Sequence, residues 1–477
     1  MIRRFLFYWF FSKNRFAEAL ACCASRNEAQ TSPVLHAGYR LGLYETVANT
    51  PCKDNDWRGA FARAVSLAAC GRTPEAADLT RKLVLQGGLG QHQAALADAL
   101  APFAPELALE LIQGRDALVS LRAALLLRLG KQEQAASILH HAMHAGEASR
   151  WPELNLLLSN AEPESSIKKL ARMNAFLTAH SLPPLTLRDE SLPPGPMNLA
   201  SAMPHGSVNG PLVSIIMTAY QAGQRIVPAI SSLLEQSYRD IEVIVVDDAS
   251  TDETGNVVQA LAALDPRVIY VRLPRNVGTY VAKSVGLRHA AGEFVTCHDS
   301  DDWSHPLRIE RQVRPLIEKP EIVFTTSNWV RMQDDGLYYA RPVNPLMRFN
   351  PASPMFRKDL VLRKAGGWDP VRTGADSEFA ARLTLVFGQR ARHRVTQPLA
   401  FGAHRPGSLM TAADTGYSAT GMSPTRLDYW ESWGHHHIAE LRAGRRPYVS
   451  PDLLAERRFA APREIIVPRE DMEMCVG

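Results

Sequence analysis

The 477-residue sequence contains few cysteines, little net charge and no long apolar run. None of its six cysteines forms a C-x-x-C pair or has zinc-ligand spacing with a histidine, which argues against a zinc site and favours a reduced, cytoplasmic compartment. Lys and Arg number 53 against 49 Asp and Glu, so no strong basic field indicates a nucleic-acid partner. The sequence also lacks a P-loop, which argues against a kinase-like or GTPase-like phosphate site.

The most apolar stretch is short and lies near the N-terminus. Seven residues, Phe5 to Phe11, stand between Arg3 and Arg4 on one side and Lys13 on the other. A transmembrane helix requires about 20 apolar residues, and no small-residue cleavage site follows this run. Aromatic residues with basic flanks are typical of peripheral contact with an anionic membrane surface, here over residues 1–16. The alternative is that the aromatic side chains pack against the next helix.

The first part of the chain, residues 1–180, has helical periodicity throughout and predicts an all-α domain. The segment from Gly71 to Gly87 resembles the segment from Gly130 to Gly146, which suits a tetratricopeptide-like α-α repeat able to bind a protein partner. An irregular helical bundle is the alternative. Residues 181–211 are rich in Pro and Gly and predict a linker at the domain boundary.

Residues 212–440 have a different pattern, in which apolar, β-branched runs alternate with helical ones. The alternation predicts βαβ units and an α/β, Rossmann-like, mostly parallel sheet, and residues 441–477 form a C-terminal tail. Acidic residues follow two of the predicted strands, as "DDAS" at 247–250 and "DSDD" at 299–302. Ligands of such sheets bind at the carboxyl ends of strands, so these carboxylates are expected to share one crevice.

Clustered carboxylates repel one another unless a cation lies among them. A hard divalent ion, Mn²⁺ or Mg²⁺, accepts oxygen ligands and leaves positions open for substrate phosphates. The sequence therefore predicts a diphosphate-bearing small molecule bound through a metal ion.

Several motifs occur together in order: "VSIIMTAYQAGQRIVPAISSLLEQSYRDIEVIVVDDASTDET" from Val213, "NVG" from Asn276 and "AAGEFVTCHDSDDW" from Ala290. In this combination the chain resembles the family 2 glycosyltransferases of GT-A fold, strongly to about Gln312 and more weakly to about Thr411. The resemblance implies an inverting, metal-dependent transfer from a nucleotide-sugar, usually a UDP-sugar, to a glycan or lipid-linked acceptor. Bacterial surface polysaccharide assembly, at the inner face of the membrane, is the commonest setting of that family.

The resemblance also implies roles for individual residues. Thr218 and Tyr220 are expected to border the nucleotide base, and Asp248, supported by Asp247, to accept a hydrogen bond from uracil. Asp299 and Asp301 are the D-x-D pair, with Asp301 as the principal metal ligand and Asp299 reaching the ribose or the metal. Lys283 is expected at the diphosphate, with a solvated surface position as the alternative. The stretch "FGAHRPGSLMT", residues 401–411, resembles the segment of the family that closes over the diphosphate, and its His404 or Arg405 is expected at the metal or phosphate. Asp302 is the next choice of metal ligand, but capping of the following helix is its favoured role.

The general base that inversion requires is expected after the stretch Gly366–Asp369. Asp376 occupies the base position, and Glu378 is the substitute two residues on; a helix cap is the alternative role for Asp376. The chain departs from the family pattern at Gln221, at "AKS" (282–284) and at His298. A different class of function is also consistent with the sequence: a degenerate nucleotide-sugar-binding protein whose helical domain is a docking module.

Overall fold

The computed structural model describes residues 2–23, 28–52, 56–87, 89–114, 118–202, 206–408, 416–418 and 421–476. Within these residues the N-terminal half is helical. Its helices are α1 (Ile2–Ser12), α2 (Phe16–Ala21), α3 (Ser32–Arg40), α4 (Tyr44–Asn49), α5 (Trp57–Ala69), α6 (Thr73–Leu85), α7 (Gln93–Leu100), α8 (Pro105–Leu111), α9 (Val119–Arg128), α10 (Gln132–His144), α11 (Leu154–Ala161) and α12 (Ser166–Ala179). The predicted all-α region is therefore confirmed.

The two similar sequence segments form two similar helical hairpins. Helices α6 and α10 each contain 13 residues, and each packs on the preceding helix. Gly71 and Gly130 stand at the corresponding turns with φ of 78° and 70°, in the left-handed region that glycine adopts without strain. The equivalence of the hairpins favours the α-α repeat over an irregular bundle.

The C-terminal half is built on a large mixed sheet. The strands of this half and of the segment before it are β1 (Leu185–Leu187), β2 (Leu199–Ser201), β3 (Val213–Ala219), β4 (Ile241–Asp247), β5 (Val268–Arg272), β6 (Phe294–Asp299), β7 (Trp303–Ser304), β8 (Phe324–Met332), β9 (Tyr338–Tyr339), β10 (Arg348–Phe349), β11 (Met355–Arg357), β12 (Arg392–Ala403), β13 (Tyr417–Ser418) and β14 (Gly421–Met422). The large sheet contains β3 to β12, while β1 with β2 and β13 with β14 form two separate pairs. The main order is β5-β4-β3-β6-β11-β8-β12-β7. Pairing is parallel from β5 to β6 and again between β8 and β12.

Helices cover this sheet, as the βαβ pattern predicts. They are α13 (Ile226–Leu234), α14 (Thr254–Leu264), α15 (Thr279–His289), α16 (Arg308–Glu318), α17 (Lys358–Lys364), α18 (Ala375–Phe387), α19 (Pro424–Arg442) and α20 (Arg469–Glu473). Strands β3 and β4 are buried along almost their whole length because helices lie on both faces. The predicted α/β fold is confirmed.

The segment predicted to be a linker is structured in part. Strands β1 and β2 pair in antiparallel fashion there, with Thr186 opposite Ala200. Leu185 and Leu199 are buried in one apolar cluster with Phe176 of α12 and Phe401 of β12. The proline-rich composition of residues 181–211 marks where the sequence pattern changes, but apolar residues of this segment still belong to the core.

The helical half contacts the sheet half at several places, among them α19 and β9. Near α19, the Glu431 carboxylate accepts hydrogen bonds from the Thr46 hydroxyl (2.6 Å) and backbone amide. Near β9, the Asn160 side chain exchanges hydrogen bonds with the backbone of Tyr338 (2.7 and 2.8 Å). These hydrogen bonds fix the helical half to α19 and to β9 of the sheet half.

Candidate active site

The acidic motifs end neighbouring strands of the sheet. Thr218, near the end of β3, is paired with Asp299 of β6, and the next residue, Ala219, is paired with Asp247 of β4. Adjacent strands lie about 4.8 Å apart, so these carboxyl ends form one edge. The acidic motifs therefore lie at one edge of the sheet, as predicted, and the crevice that they are expected to share stays a prediction.

Asp248 fixes the turn that carries the "NVG" motif. Its two carboxylate oxygens accept the backbone amides of Val277 (2.7 Å) and Gly278 (2.8 Å). Gly278 has φ of 80°, and a Cβ there would lie 3.2 Å from Arg372, so glycine is required. Burial raises the pKa of Asp248 despite the two amide donors. Each carboxylate oxygen can accept more than one donor, so the two amides leave room for a hydrogen bond from uracil. That hydrogen bond stays a prediction.

The other predicted nucleotide contacts surround this turn. Asp247 is fully buried and accepts the Ser250 amide (2.8 Å) and the Tyr270 hydroxyl (2.8 Å), which suits the supporting role predicted for it. The Thr218 hydroxyl lies 2.8 Å from that of Thr279. The Tyr220 side chain is 51% exposed and is free to cover a base.

The carboxylates of Asp301 and Asp302 are held by residues at the end of β12 and just after it. Asp301 accepts the Arg405 Nε–H (2.9 Å), and Asp302 accepts the Ala403 backbone amide (2.9 Å). Burial and then the neighbouring Asp299 raise the pKa of Asp301, and the same causes raise that of Asp302 further. The expected capping role of Asp302 is wrong, because α16 begins only at Arg308 and Asp302 bonds to β12 instead.

The candidate base forms a buried ion pair across the crevice. The Lys283 ammonium lies 3.0 and 3.1 Å from the two Asp376 oxygens, and the Tyr280 hydroxyl donates to the same carboxylate (3.2 Å). The Lys283 side chain is 1% exposed and that of Asp376 is 20% exposed. Burial raises the pKa of Asp376, and the facing Asp299 adds to this increase while Lys283 opposes it. Asp376 is not the helix cap, since Gly374 occupies that position of α18.

Glu378 does not face the crevice, so the expectation that it could replace Asp376 as the base is wrong. Its side chain is fully buried and pairs with both Arg382 nitrogens that face it, at 2.7 Å each. His437 Nε2 lies 2.9 Å from the same carboxylate. Burial opposes ionisation here, but the Arg382 charge and the hydrogen bonds lower the pKa of Glu378 to about 2. An acceptor hydroxyl has no access to this group.

The carboxylates fit a divalent ion with two protein ligands. Asp299 ends β6 and Asp301 lies two residues further on, and the charge of Asp299 contributes to the raised pKa of Asp301. Mg²⁺ is typically held by one or two carboxylates with phosphates and water completing its shell. Within the described part of the chain no three His, Cys, Asp or Glu side chains form a metal-binding group. His404 is therefore not brought into a three-ligand site with Asp299 and Asp301.

His404 takes part in a stack that reaches the helical half. Its ring lies on the Tyr339 ring, with centroids 3.6 Å apart and planes 2° from parallel. The Arg128 guanidinium of α9 lies 5.3 Å from the centre of the Tyr339 ring, and it also donates to the Ala340 carbonyl (2.6 Å). Burial, with Arg331 and Arg128 nearby, lowers the pKa of His404 to about 4. The last residues of the segment expected to close over the diphosphate, 409–411, lie outside the described residues.

Comparison with known proteins gives this arrangement a family. Residues 214–373 match the model of "Glycosyl transferase family 2". The chain is 36% identical over 219 residues to the putative teichuronic acid biosynthesis glycosyltransferase TuaG of Bacillus subtilis, covering 46% of this chain and 79% of TuaG. The chain belongs to glycosyl transferase family 2. The mostly parallel sheet with acids at its carboxyl edge is accordingly the GT-A catalytic fold of this family.

Other members of the family are matched over shorter stretches. The UDP-Glc:alpha-D-GlcNAc-diphosphoundecaprenol beta-1,3-glucosyltransferase WfaP of Escherichia coli is 32% identical over 123 residues, covering 26% of this chain and 48% of WfaP. The chain thus spans about half of WfaP. The structure of S. aureus TarS 1-349 in complex with UDP-GlcNAc superposes with a TM-score of 0.36 at 19% identity, covering 49% of this chain and 66% of that one.

Arg405 is expected to compete with a metal ion for Asp301. Because its guanidinium contacts one carboxylate oxygen, Arg405→Gln should tighten Mn²⁺ binding to the protein without donor by about two- to fivefold, the range of a partly exposed ion pair. Titration calorimetry with MnCl₂ measures the effect. Arg394→Gln, at an exposed arginine, is the matched control and should leave Mn²⁺ affinity unchanged. Weaker Mn²⁺ binding in Arg405→Gln would show that Arg405 supports the metal site instead.

Proposed function

We propose that this family 2 member transfers a sugar from a nucleotide-sugar, of which a UDP-sugar is the best candidate, to a glycan or lipid-linked acceptor. The observation that carries the proposal is the position of Asp376. Its carboxylate is paired with Lys283 at 3.0 Å, and the charge of Asp299 contributes to its raised pKa, which supports a candidate base near the candidate diphosphate site. Polysaccharide biosynthesis is the proposed setting, supported by the name of TuaG.

The transfer follows from these groups with inversion at the sugar. The Asp376 carboxylate takes the proton of the acceptor hydroxyl, and the acceptor oxygen bonds to the anomeric carbon from the side opposite the diphosphate. The bond from that carbon to the diphosphate oxygen breaks, and its electron pair stays on the departing nucleoside diphosphate. A raised pKa suits Asp376 as a base, because a more basic carboxylate takes a proton more readily.

Lys283, Asp299 and Asp301 are proposed to hold the diphosphate end of the donor. Mn²⁺ or Mg²⁺ bound by the two aspartates would supply stabilisation of the negative charge on the leaving diphosphate. The Lys283 ammonium, which pairs with Asp376, is proposed to contact the same phosphates when the donor binds. Thr218, Tyr220, Asp247 and Asp248 are proposed to form the nucleotide end.

A lipid-linked acceptor is proposed because WfaP, by its name, acts on a diphosphoundecaprenol-linked sugar. Such an acceptor would be met at the inner face of a membrane, and we place the protein there. The helical hairpins of α5–α6 and α9–α10 are the proposed docking surface for a protein partner. We retain residues 181–211 as the boundary between the two halves of the sequence.

A donor screen tests the proposed function directly. The protein is incubated with UDP-, GDP- and dTDP-sugars in the presence of Mn²⁺, and release of nucleotide is measured. We expect release from one UDP-sugar, its loss with EDTA and its loss in Asp376→Asn. Mn²⁺-dependent binding of UDP without release from any donor would instead favour a degenerate nucleotide-sugar-binding protein.

The Tyr339 stack predicts that the helical half influences donor binding. Tyr339→Leu removes the ring between Arg128 and His404, so the segment carrying Arg405 should lose its fixed position. We expect the donor KM to rise about three- to tenfold with little change in kcat, because one aromatic stack contributes about 0.5–1.5 kcal/mol. Tyr339→Phe keeps the ring and is the matched control. Equal donor KM values in the two variants would contradict the coupling.

A further inference from the structure

Helix α1 has two apolar faces, and only one of them is covered by protein. Phe7 is buried in a cluster with Phe16 of α2, Leu43 and Ile438 of α19. Phe10 and Phe11 also pack against this cluster. On this face the aromatic side chains pack against neighbouring helices, which was the alternative to membrane contact in the sequence analysis. The packing fixes α1 to the body of the protein.

The opposite face of α1 is exposed. Ile2, Phe5, Leu6 and Trp9 are spaced i, i+3, i+4 and i+7, which places them on one side of the helix. Their exposed fractions are 77%, 69%, 36% and 44%, so the whole face lies open to solvent. Single exposed apolar residues are ordinary, but four on consecutive turns form a patch of the kind that marks a binding surface.

The charge around this patch is positive. Arg3, Arg4 and Lys13 are all exposed on α1 or directly after it. The acidic residue of the adjoining helix α2, Glu18, forms an ion pair with Arg15 at 2.8 Å and so does not oppose them. An apolar face with a basic rim matches an anionic lipid surface, which offers hydrocarbon beneath negatively charged headgroups.

We propose that the exposed face of α1, made of Ile2, Phe5, Leu6 and Trp9, binds an anionic membrane surface with its axis in the plane of the bilayer. Helix α1 has 11 residues, and no helix among the described residues is both long and apolar enough to cross a bilayer. The helix would therefore lie within the headgroup layer, as interfacial helices do. The choice of membrane rests on the proposed function, but the surface itself is inferred without it.

The position of α1 relative to the crevice fits this arrangement. Helix α18 begins at the crevice with Asp376, and Leu385 near its other end packs against the cluster that holds α1. Nine residues of helix separate these two positions, a distance of about 14 Å. A membrane bound by α1 would thus lie near enough for a lipid-linked acceptor to approach the crevice.

Sedimentation with vesicles tests the inference on the full chain. Vesicles of phosphatidylcholine that also contain the anionic lipid phosphatidylglycerol are compared with vesicles of phosphatidylcholine alone. We expect the wild type to sediment with the anionic vesicles. The double substitution Phe5→Gln/Trp9→Gln should weaken the partition at least about tenfold, and Arg3→Glu/Arg4→Glu should do so on anionic vesicles only.

Leu85→Gln/Ile167→Gln is the matched control, because those residues are exposed apolar side chains on other helices. It should bind vesicles as the wild type does. All substituted positions are exposed, and unchanged helix content by circular dichroism checks folding; if the aromatic variant unfolds, the charge variant decides. Equal vesicle binding by wild type and both α1 variants would overturn the inference. The inference would also be overturned if the wild type formed a dimer that Phe5→Gln/Trp9→Gln abolishes and did not bind vesicles. Nucleotide release is assayed separately without vesicles, so failure of the proposed function is distinguishable.

Discussion

Replacing Asp376 with asparagine should lower kcat for sugar transfer by about 10²–10⁴-fold, the usual contribution of a general base. Asparagine keeps the size of the side chain but cannot take a proton from the acceptor. Donor binding should persist, because the proposed nucleotide contacts lie on other elements, Thr218 in β3 and Asp248 directly after β4. Transfer is measured as nucleotide release with acceptor present, and binding by calorimetry with UDP and Mn²⁺.

Tyr280→Phe is the matched control for this experiment. It removes the hydroxyl that donates to Asp376 but leaves the carboxylate and its pair with Lys283. A smaller loss than that of Asp376→Asn is expected, because the carboxylate that acts as base remains and only one hydrogen bond to it, of about 1.5–3 kcal/mol, is removed. Near-normal transfer by Asp376→Asn would remove Asp376 from the role of base.

The pH profile gives a second measure of the same residue. The pKa of Asp376 is raised above its ordinary value of 3.8, chiefly by burial. The carboxylate must be ionised to act, so kcat/KM should rise with pH through an apparent pKa above 3.8. The rise should be absent from the residual activity of Asp376→Asn.

The largest effect on stability is expected at Glu378. Glu378→Gln removes the charge that faces Arg382, whose side chain is fully buried and whose other donors contact the carbonyls of Ala365 and Gly367. An unpaired buried charge costs about 3–5 kcal/mol, so the free energy of unfolding should fall by that amount. Urea denaturation followed by circular dichroism measures it.

A double substitution distinguishes the cost of leaving one buried charge unpaired from the cost of removing both charges. Glu378→Leu/Arg382→Met replaces both charges with apolar side chains and should recover much of the stability that Glu378→Gln loses. A Glu378→Gln protein as stable as the wild type would contradict the structural role. The wild type should also lose stability as the pH falls from about 4.5 towards 2, because Glu378 has a pKa of about 2 when folded and 4.5 as its reference value.

The contrast between Asp376 and Glu378 shows what sequence could not provide. Both lie in the first turn of α18, and residues two apart on a helix point to different sides. One therefore faces the crevice and the other the core, but local spacing does not say which. The answer depends on α19, whose His437 contacts Glu378 and which follows α18 in the chain only after about 36 residues.

The parallel strands and their acidic ends were predictable for a local reason. Buried β-branched runs such as Ile241–Asp247 identify strands without knowledge of the partners. The partner of Lys283 was not predictable, because α15 and α18 are brought together only by the tertiary fold. Arg405 was likewise predicted as a possible contact of metal or phosphate but not as the partner of Asp301. Contacts between distant elements leave no periodic signal in the sequence.

A gene fragment encoding residues 212–477 alone would lack the helices and the β1–β2 hairpin that share a buried cluster with Trp303, Val330 and Phe401. The sheet would then present these side chains to water, and such a fragment would be prone to aggregate. Recombination that exchanged the helical half for another would have to rebuild the same cover. The two halves are therefore expected to have been inherited together, with the catalytic sheet selected in the presence of its helical neighbour.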